Sequence, residues 1–349
     1  MTLKRTLIQS GRKEANLRRP RILVVGSFVM DLIVTTEFFP CSGETVLGKS
    51  FRTAAGGKGA NQAVQASRLG AEVKMSGKVG NDEFGKTLIA SCKSSGIDVE
   101  SVAVDDLVSS AVGDVILEES RGGGAKNRII VVPGANMTIR VEEIAFIERI
   151  LERYDMVMLQ LEIPMAINEQ IARYAAEKGV PVMLNSAPSA PLSDELLGCL
   201  AYICPNEHEA EAITGVAIRK NDGEANKDDI YSMAEVLLKK GVENVLVTLG
   251  SGGAALVNRD EFFLQPCIDV VEVKDPTAAG DSFVGSFVTG VCAGMDHEQA
   301  LVFASYAATL AVSKTGAQPS LPYLTEVIDL LVREGEQRVD FQLLEILKR

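Results

Sequence analysis

The stretch Asp275-Pro276-Thr277-Ala278-Ala279-Gly280-Asp281-Ser282 combines small residues with a carboxylate at what reads as the start of a helix. Small side chains let the backbone N–H groups from Ala278 to Asp281 crowd a ligand without clashes. At a helix N-terminus such donors lack intrahelical acceptors, and the helix dipole favours an anion. A carboxylate added to an anion site is repulsive unless it faces a hydroxyl that attacks the anion. Asp281 would then be the base in a phosphoryl transfer. Taken alone, a Gly-Asp pair is more often a plain helix cap, and the company it keeps decides between the two.

A second glycine-rich stretch, Ala54-Ala55-Gly56-Gly57-Lys58-Gly59-Ala60-Asn61-Gln62-Ala63, enters another helix running to about Leu69. It is not a Walker loop, because no Ser or Thr follows the lysine and the glycine spacing differs. Nor does G-x-G-x-x-G follow the first strand, which disfavours a dinucleotide-binding fold. The glycines would bring backbone close to a ligand, and the Asn61 amide can grip hydroxyls. An ordinary loop and helix start is an equal reading of this stretch by itself.

Elements able to carry these groups alternate along the chain. Ile22-Leu23-Val24-Val25 is a continuous apolar run ending at Gly26, the pattern of a strand buried on both faces of a parallel sheet. Strands are expected at Val73–Val79, Met156–Leu161, Val182–Leu184, Ala201–Cys204, Val245–Val247 and Asp269–Val273. Helices are expected at Phe84–Ser94, Val141–Leu151, Ile167–Glu177 and Ser282–Cys292, the last with Phe283, Phe287 and Val291 on one face. This βα rhythm implies a parallel sheet covered by helices. Asp31, Glu162, Asn185, Asn206 and Thr248 fall at carboxyl ends of strands, the rim where such sheets bind ligands. Thr45–Phe51, Val112–Leu117 and Arg128–Val132, the last two around the Gly122-Gly123-Gly124 turn, suggest a small separate sheet acting as a lid.

The 349 residues suit one large α/β domain with an appendage, or two domains. A net charge of −12 argues against nucleic acid as the main partner. No apolar run is long enough for a bilayer, so a soluble chain with no membrane partner is expected. Six cysteines without Cys-x-x-Cys spacing point to free thiols in a reducing, cytoplasmic setting. Two histidines, His208 and His297, make a histidine-based triad or metal site untenable. Residues 1–20 form a basic tail, open to reading as a transit peptide or a disordered segment. A kinase-sized domain over 21–335 and a helical extension over 336–349, with an amphipathic helix at Val339–Leu347, complete the expected organisation.

From about Arg21 to about Arg333 the sequence resembles the ribokinase-type (PfkB) carbohydrate kinases. Gly56–Ala63 matches the family's first signature and Asp275–Asp281 its second. Pro205-Asn206-Glu207-His208-Glu209 matches its Asn-x-x-Glu motif, and Gly316-Ala317-Gln318-Pro319-Ser320 resembles its cation loop. Four motifs in order are specific where each alone is weak.

The resemblance implies a ribokinase-like α/β fold: a central, mostly parallel sheet flanked by helices, with a small β-sheet lid at about 44–52, 111–118 and 127–133. It implies ATP-dependent phosphorylation of D-ribose at its 5-hydroxyl, with homodimerisation through the lid. Asp281 would be the base, and the N–H groups of Ala278, Ala279 and Gly280 the anion hole. Asp31, Gly57, Lys58, Asn61 and Glu162 would line the sugar site. Asn206, Thr248, Ser251, Gly253, Gly280 and Ser305 would surround ATP, and Asn206 with Glu209 would support Mg²⁺. Asp275 and Ser320, with backbone oxygens of Thr277, Ala311, Lys314 and Gly316, would hold K⁺.

Val29 departs from the pattern, replacing an asparagine that grips sugar hydroxyls; kinases specialised for deoxyribose carry an apolar residue there. Pro276 stands where threonine is usual, and Ser305 where asparagine or histidine is common. The alternatives are a 2-deoxyribose, nucleoside or fructose-type kinase of the same family and, from another class, a non-catalytic sugar-binding relative.

Overall fold

A computed structural model of the protein describes residues 18–118, 126–221 and 224–348. The chain opens with β1 (Arg21–Val25), β2 (Val29–Thr36), β3 (Ser50–Gly56) and α1 (Lys58–Arg68). Next come β4 (Glu72–Gly80), α2 (Glu83–Ser94), β5 (Asp98–Asp105), β6 (Ala111–Glu118) and β7 (Lys126–Val132). The middle alternates β8 (Met156–Gln160), α3 (Met165–Lys178), β9 (Val182–Asn185), β10 (Tyr202–Ile203), α4 (Glu207–Thr214), α5 (Lys227–Lys239) and β11 (Asn244–Thr248). It ends with β12 (Ala254–Val257), β13 (Phe262–Gln265), α6 (Ala279–Cys292), α7 (His297–Val312), α8 (Leu324–Arg333) and α9 (Phe341–Leu347).

The main sheet has nine strands in the order β13-β12-β11-β10-β9-β8-β1-β4-β5. It is parallel from β11 to β5, with β12 and β13 added antiparallel at one edge. The apolar run of β1 explains its central place. Ile22 and Val24 point into a core shared with α1, α6 and α7, while Leu23 and Val25 point into a second core under α3 and α5. Successive side chains of a strand face opposite sides, so a strand sandwiched by helices must be apolar throughout. A second sheet, ordered β3-β2-β6-β7, stands apart from it, at the place expected for the lid.

Several expectations need correction. Val29–Thr36 is a lid strand that sequence reading passed over, so Asp31 lies inside β2 rather than at the carboxyl end of β1. The lid strand expected at 44–52 runs instead over Ser50–Gly56, in register with β2 from Val29↔Gly56 to Thr35↔Ser50. Asp269–Val273 forms no strand; Val273 is 64% exposed there. Alternation makes a strand only where a neighbour supplies ladder bonds, and the edge position is already taken by β13. The helix expected at Val141–Leu151 is α-helical only over Val141–Ile144 and continues as 3₁₀ turns, which let Ile144 and Ile147, three apart, bury together. β5, at the other edge, gave no clear signal of its own.

Both chain ends join the body more closely than expected. Residues 1–17 and the Gly122–Gly124 turn lie outside the described residues. Arg18 grips the Asp155 carboxylate with two hydrogen bonds of 3.0 and 2.8 Å, and Arg19 donates to the Gly70 carbonyl at 2.5 Å. At the other end, α9 buries Leu344 and Leu347 in the same core as Phe287. Its carbonyl at Leu347 presses on Gly70, where a Cβ would collide with it. The C-terminal helix is therefore part of the core.

Candidate active site

The turn before α6 is built to leave donors free. Ala278, the N-cap, has φ +62° and no side-chain cap. This left-handed conformation, rare outside glycine, aims successive N–H groups into one concavity. The Ala279 N–H reaches the Pro276 carbonyl at 3.2 Å, while those of Ala278, Gly280 and Asp281 have no acceptor among the described residues. A Cβ on Gly280 would meet open space. The concavity is thus both unfilled and rich in donors, which suits an anion.

Asp281, 7% exposed, does not cap the helix. Its Oδ2 accepts from Asn61 Nδ2 at 2.9 Å and its Oδ1 from Gln62 Nε2 at 3.0 Å, both amides carried by the first turn of α1. Asn61 Oδ1 is buried without a partner. A buried acceptor left unsatisfied is costly, and an incoming hydroxyl would satisfy it. Helix α1 itself has no side-chain cap at Gly57. Glu162, just past β8, takes that part: its Oε2 accepts from the Lys58 N–H at 2.9 Å and from Ser27 Oγ at 2.5 Å. Its second oxygen takes no hydrogen bond from the described residues. Gly57, at φ +91°, packs on β2 so closely that a Cβ would lie 2.7 Å from the Val29 nitrogen.

From the lid, Asp31 enters between glycines of both neighbouring strands. A Cβ on Gly56 or Gly113 would come within 2.8 or 2.6 Å of its carboxylate oxygens. It accepts no hydrogen bond from the described residues. Burial, then the nearby Glu162 and Asp281 carboxylates, push its pKa up to about 6, against the pull of Arg52 from β3. Lys58 shows the complement. Burial disfavours its charge, yet Asp281, Glu162 and Glu209 outweigh this and raise its pKa. Val29 lies buried on the same strand face as Asp31, opposite Gly56 and Ala111.

The residues expected around ATP and the cations lie on adjoining loops. Asn206 and Glu209 form a capping box on α4, bonded reciprocally at 2.9 Å through their backbone N–H groups. Asn206 also bridges Thr248 at the end of β11, and Ser251 and Gly253 follow in the next turn. Ser305 stands apart: its hydroxyl donates to the Leu301 carbonyl within α7, a local satisfaction its position in sequence did not signal. Asp275 accepts from Thr277 N at 2.9 Å and from Gly316 N at 2.8 Å, which latches the loop after α7 to the turn before α6. Ala311 and Ser320 are buried in that loop region, with Ser320 Oγ donating to the Ala317 carbonyl at 2.8 Å. The Ala311 carbonyl accepts from Lys314 N at 3.2 Å. Both oxygens of Asp275 retain lone pairs, which a hard cation could use. Against the effect of burial, its hydrogen-bond donors Thr277 and Gly316, and then the nearby Arg52 guanidinium, lower its pKa.

Sequence reasoning missed Gln160, Arg52 and the clamp by Asn136, whose side chain bonds both the N–H and the carbonyl of Phe28 at 3.0 and 2.8 Å. A glutamine closing an apolar strand, as Gln160 closes β8, was the available signal.

The raised pKa of Asp31 has a checkable consequence for the free protein. Between the unfolded value near 3.8 and the folded value of about 6, the folded state binds more protons, so stability falls as pH rises through that window. Asp31→Asn should therefore raise the unfolding midpoint at pH 7 to 8, and this advantage should vanish below about pH 4. Denaturation curves at both pH values measure it; a variant that is less stable at neutral pH would show that Asp31 has a compensating partner.

Residues 19–324 match the pfkB family of carbohydrate kinases. A ribokinase of Bacillus subtilis is 37% identical over 310 residues, spanning 89% of this chain and 99% of its own length. A deoxyribokinase of Salmonella typhi is 32% identical over 311 residues, with coverage of 89% and 98%. The solved structure of an Arabidopsis thaliana ribokinase complexed with ribose and ATP superposes with a TM-score of 0.81 at 34% identity, covering 90% of this chain and 99% of that one. The architecture is ribokinase-like, and with most of its length matched the chain belongs to the pfkB family of carbohydrate kinases.

Proposed function

We propose that this enzyme transfers the γ-phosphoryl group of ATP to the 5-hydroxyl of D-ribose, giving D-ribose 5-phosphate and ADP. The observation that carries this reading is the buried Asp281 carboxylate, held by two amides beside an anion cradle of free N–H groups. Asp281 accepts the hydroxyl proton as the sugar oxygen bonds to phosphorus and the bond to the ADP oxygen breaks. The N–H groups of Ala278, Gly280 and Asp281 itself face the charge on the transferring group. Asp31, Asn61 and Glu162 offer acceptors to the sugar hydroxyls, and Lys58 offers charge. Ribokinases among the relatives, one solved with ribose and ATP, support the substrate pair.

Asn206, Thr248, Ser251 and Gly253 form the nucleotide side. Mg²⁺ arriving on phosphate oxygens needs few protein ligands, and the Asn206–Glu209 pair suits its water shell. K⁺ at Asp275 and Ser320 would steady the loop latched to the anion cradle. A homodimer through the lid is consistent with the exposure of Phe51, Ile129, Ile130 and Val132 on that sheet, each at least 50%. A cytoplasmic setting accords with there being no helix, among the described residues, long and apolar enough to cross a membrane. One observation favours a second substrate. Val29, 5% exposed on the face that carries Asp31, offers no hydrogen bond to a sugar hydroxyl, and 2-deoxyribose has one hydroxyl fewer to satisfy.

Three outcomes follow from this reading. Asp281→Asn should lower kcat by about 10²–10⁴-fold while calorimetry still detects sugar and ATP binding, because an amide cannot take the proton. Retention of more than about a tenth of kcat would remove Asp281 as the base. At fixed ionic strength, K⁺ should support a higher rate than Li⁺ or tetramethylammonium, and equal rates in the three salts would discount the cation site. Val29→Asn should shift the kcat/KM ratio towards ribose over deoxyribose by about tenfold, roughly 1.4 kcal/mol. An unchanged ratio would mean that Val29 does not face the second carbon of the sugar.

A further inference from the structure

Resting on the reading of Asp281 as the base, the structure assigns a positioning role to Gln62 and Gln160, which form a buried amide chain ending on its carboxylate. Both glutamines have no exposed surface. Burying primary amides is unfavourable unless they are hydrogen-bonded, and aliphatic side chains of similar size would fill the same space without that penalty. Their arrangement is directional. An ionised carboxylate only accepts, so Gln62 must turn its NH₂ towards Asp281 Oδ1, at 3.0 Å. Its carbonyl then faces Gln160, which must present NH₂ in turn, and does so at 2.7 Å.

The chain is braced at most of its links, although the outer oxygen, Gln160 Oε1, is buried without a hydrogen-bond partner among the described residues. The second N–H of Gln62 meets Asn185 Oδ1 at 3.3 Å, and Asn185 is itself oriented by donating to the Cys204 carbonyl at 2.8 Å. The backbone of Gln160 accepts from Asn168 Nδ2 at 2.8 Å. Its side-chain oxygen occupies the space left by Gly26 at the end of β1, where any Cβ would collide with it. Four elements, β1, β8, β9 and α1, thus converge on one donor. Asp281 cannot rotate without breaking the bond from Gln62 on one oxygen and the bond from Asn61 on the other.

The choice of neutral donors matters chemically. A cation in direct contact would hold the carboxylate strongly in its ionised form and weaken it as a base. Amides fix its direction and favour its charge more mildly. No ion pair reaches Asp281 among the described residues. Lys58 and Asp31 are the charged groups that face it, and neither side chain is hydrogen-bonded to the amide chain among the described residues.

The test compares Gln62→Met, Gln160→Met and the double variant of the full-length enzyme, with Asp281→Asn as reference, in ribose- and ATP-saturated assays from pH 5 to 9. Gln62→Met should lower kcat by about 10- to 100-fold, with the sugar KM changed by less than about threefold. The acid limb of its kcat profile should move to higher pH, because the carboxylate has lost a donor to its charged form. Gln160→Met should act in the same direction but less, and should add under about twofold on the Gln62→Met background, since it works through Gln62. Gln62→Asn, which keeps an amide but is one methylene too short to reach Asp281, should move the acid limb up as well, and it carries the test if the methionine variant does not fold. An acid limb that stays in place while kcat or thermal stability falls, or fully additive losses in the double variant, would reduce the glutamines to structural filling. If Asp281→Asn itself keeps activity, the reading of the base fails instead, and the two failures are told apart.

Discussion

The site depends on how closely α1 and α6 approach one another. At Gly285 a Cβ would lie 2.9 Å from the Gln62 carbonyl and 2.9 Å from Gln65 Cβ, so only glycine allows the two backbones this near. One turn earlier on the same helical face stands Asp281, and residues four apart on a helix share a face. The close crossing therefore delivers the carboxylate to the short amides of Asn61 and Gln62, and Ser282 Oγ to Gln65 Oε1 at 2.9 Å. Gly59 on the other side of α1 is held as tightly: its Cβ would lie 2.5 Å from the Ser27 nitrogen. Glycine positions read in sequence as ligand contacts thus also serve the packing that places the Asp281 carboxylate.

Electrostatics sets the second constraint. Lys58 is the positive group that the Asp281, Glu162 and Glu209 carboxylates face together, and Asp31 faces two of these three. Burial first, and then repulsion from the Glu162 and Asp281 carboxylates, push the Asp31 pKa up to about 6. An anionic donor entering this pocket gains little from side-chain charge. The backbone donors at the start of α6 and its dipole supply the attraction instead, and they do so without a mobile side chain that could neutralise the base.

Much of this was legible in the sequence, for identifiable reasons. The β1 run and the αβ rhythm were readable because burial on both faces of a parallel sheet leaves no polar position to confuse the pattern. Phe283, Phe287 and Val291 are buried as expected, but so is every residue of α6 from Asp281 to Val291, so the periodic face marked only part of the buried surface. The turn chemistry before it was visible because small residues there have few other uses. What escaped was set by partners distant in the chain. Val29–Thr36 became a strand because β3 and β6 flank it, and Asp269–Val273 did not because nothing pairs with it. The glutamine chain was invisible because Gln62 and Gln160 are 98 residues apart and each alone looks like an ordinary polar position.

The placement of Asp31 on the lid and Asp281 on the body links sugar binding to the approach of the two. β2 follows β1 after only Gly26-Ser27-Phe28, and Asn136 clamps the backbone of Phe28 on both sides. β2 thus leaves the central sheet by a short connection with a clamped backbone, and it carries Asp31 two residues beyond Val29. Repulsion between Asp31 and Asp281 opposes their approach when the site holds only water. A polyhydroxy ligand donates to both carboxylates at once, and each such charge-assisted bond lessens the repulsion. Two carboxylates that face one another thus favour a ligand with at least two O–H donors.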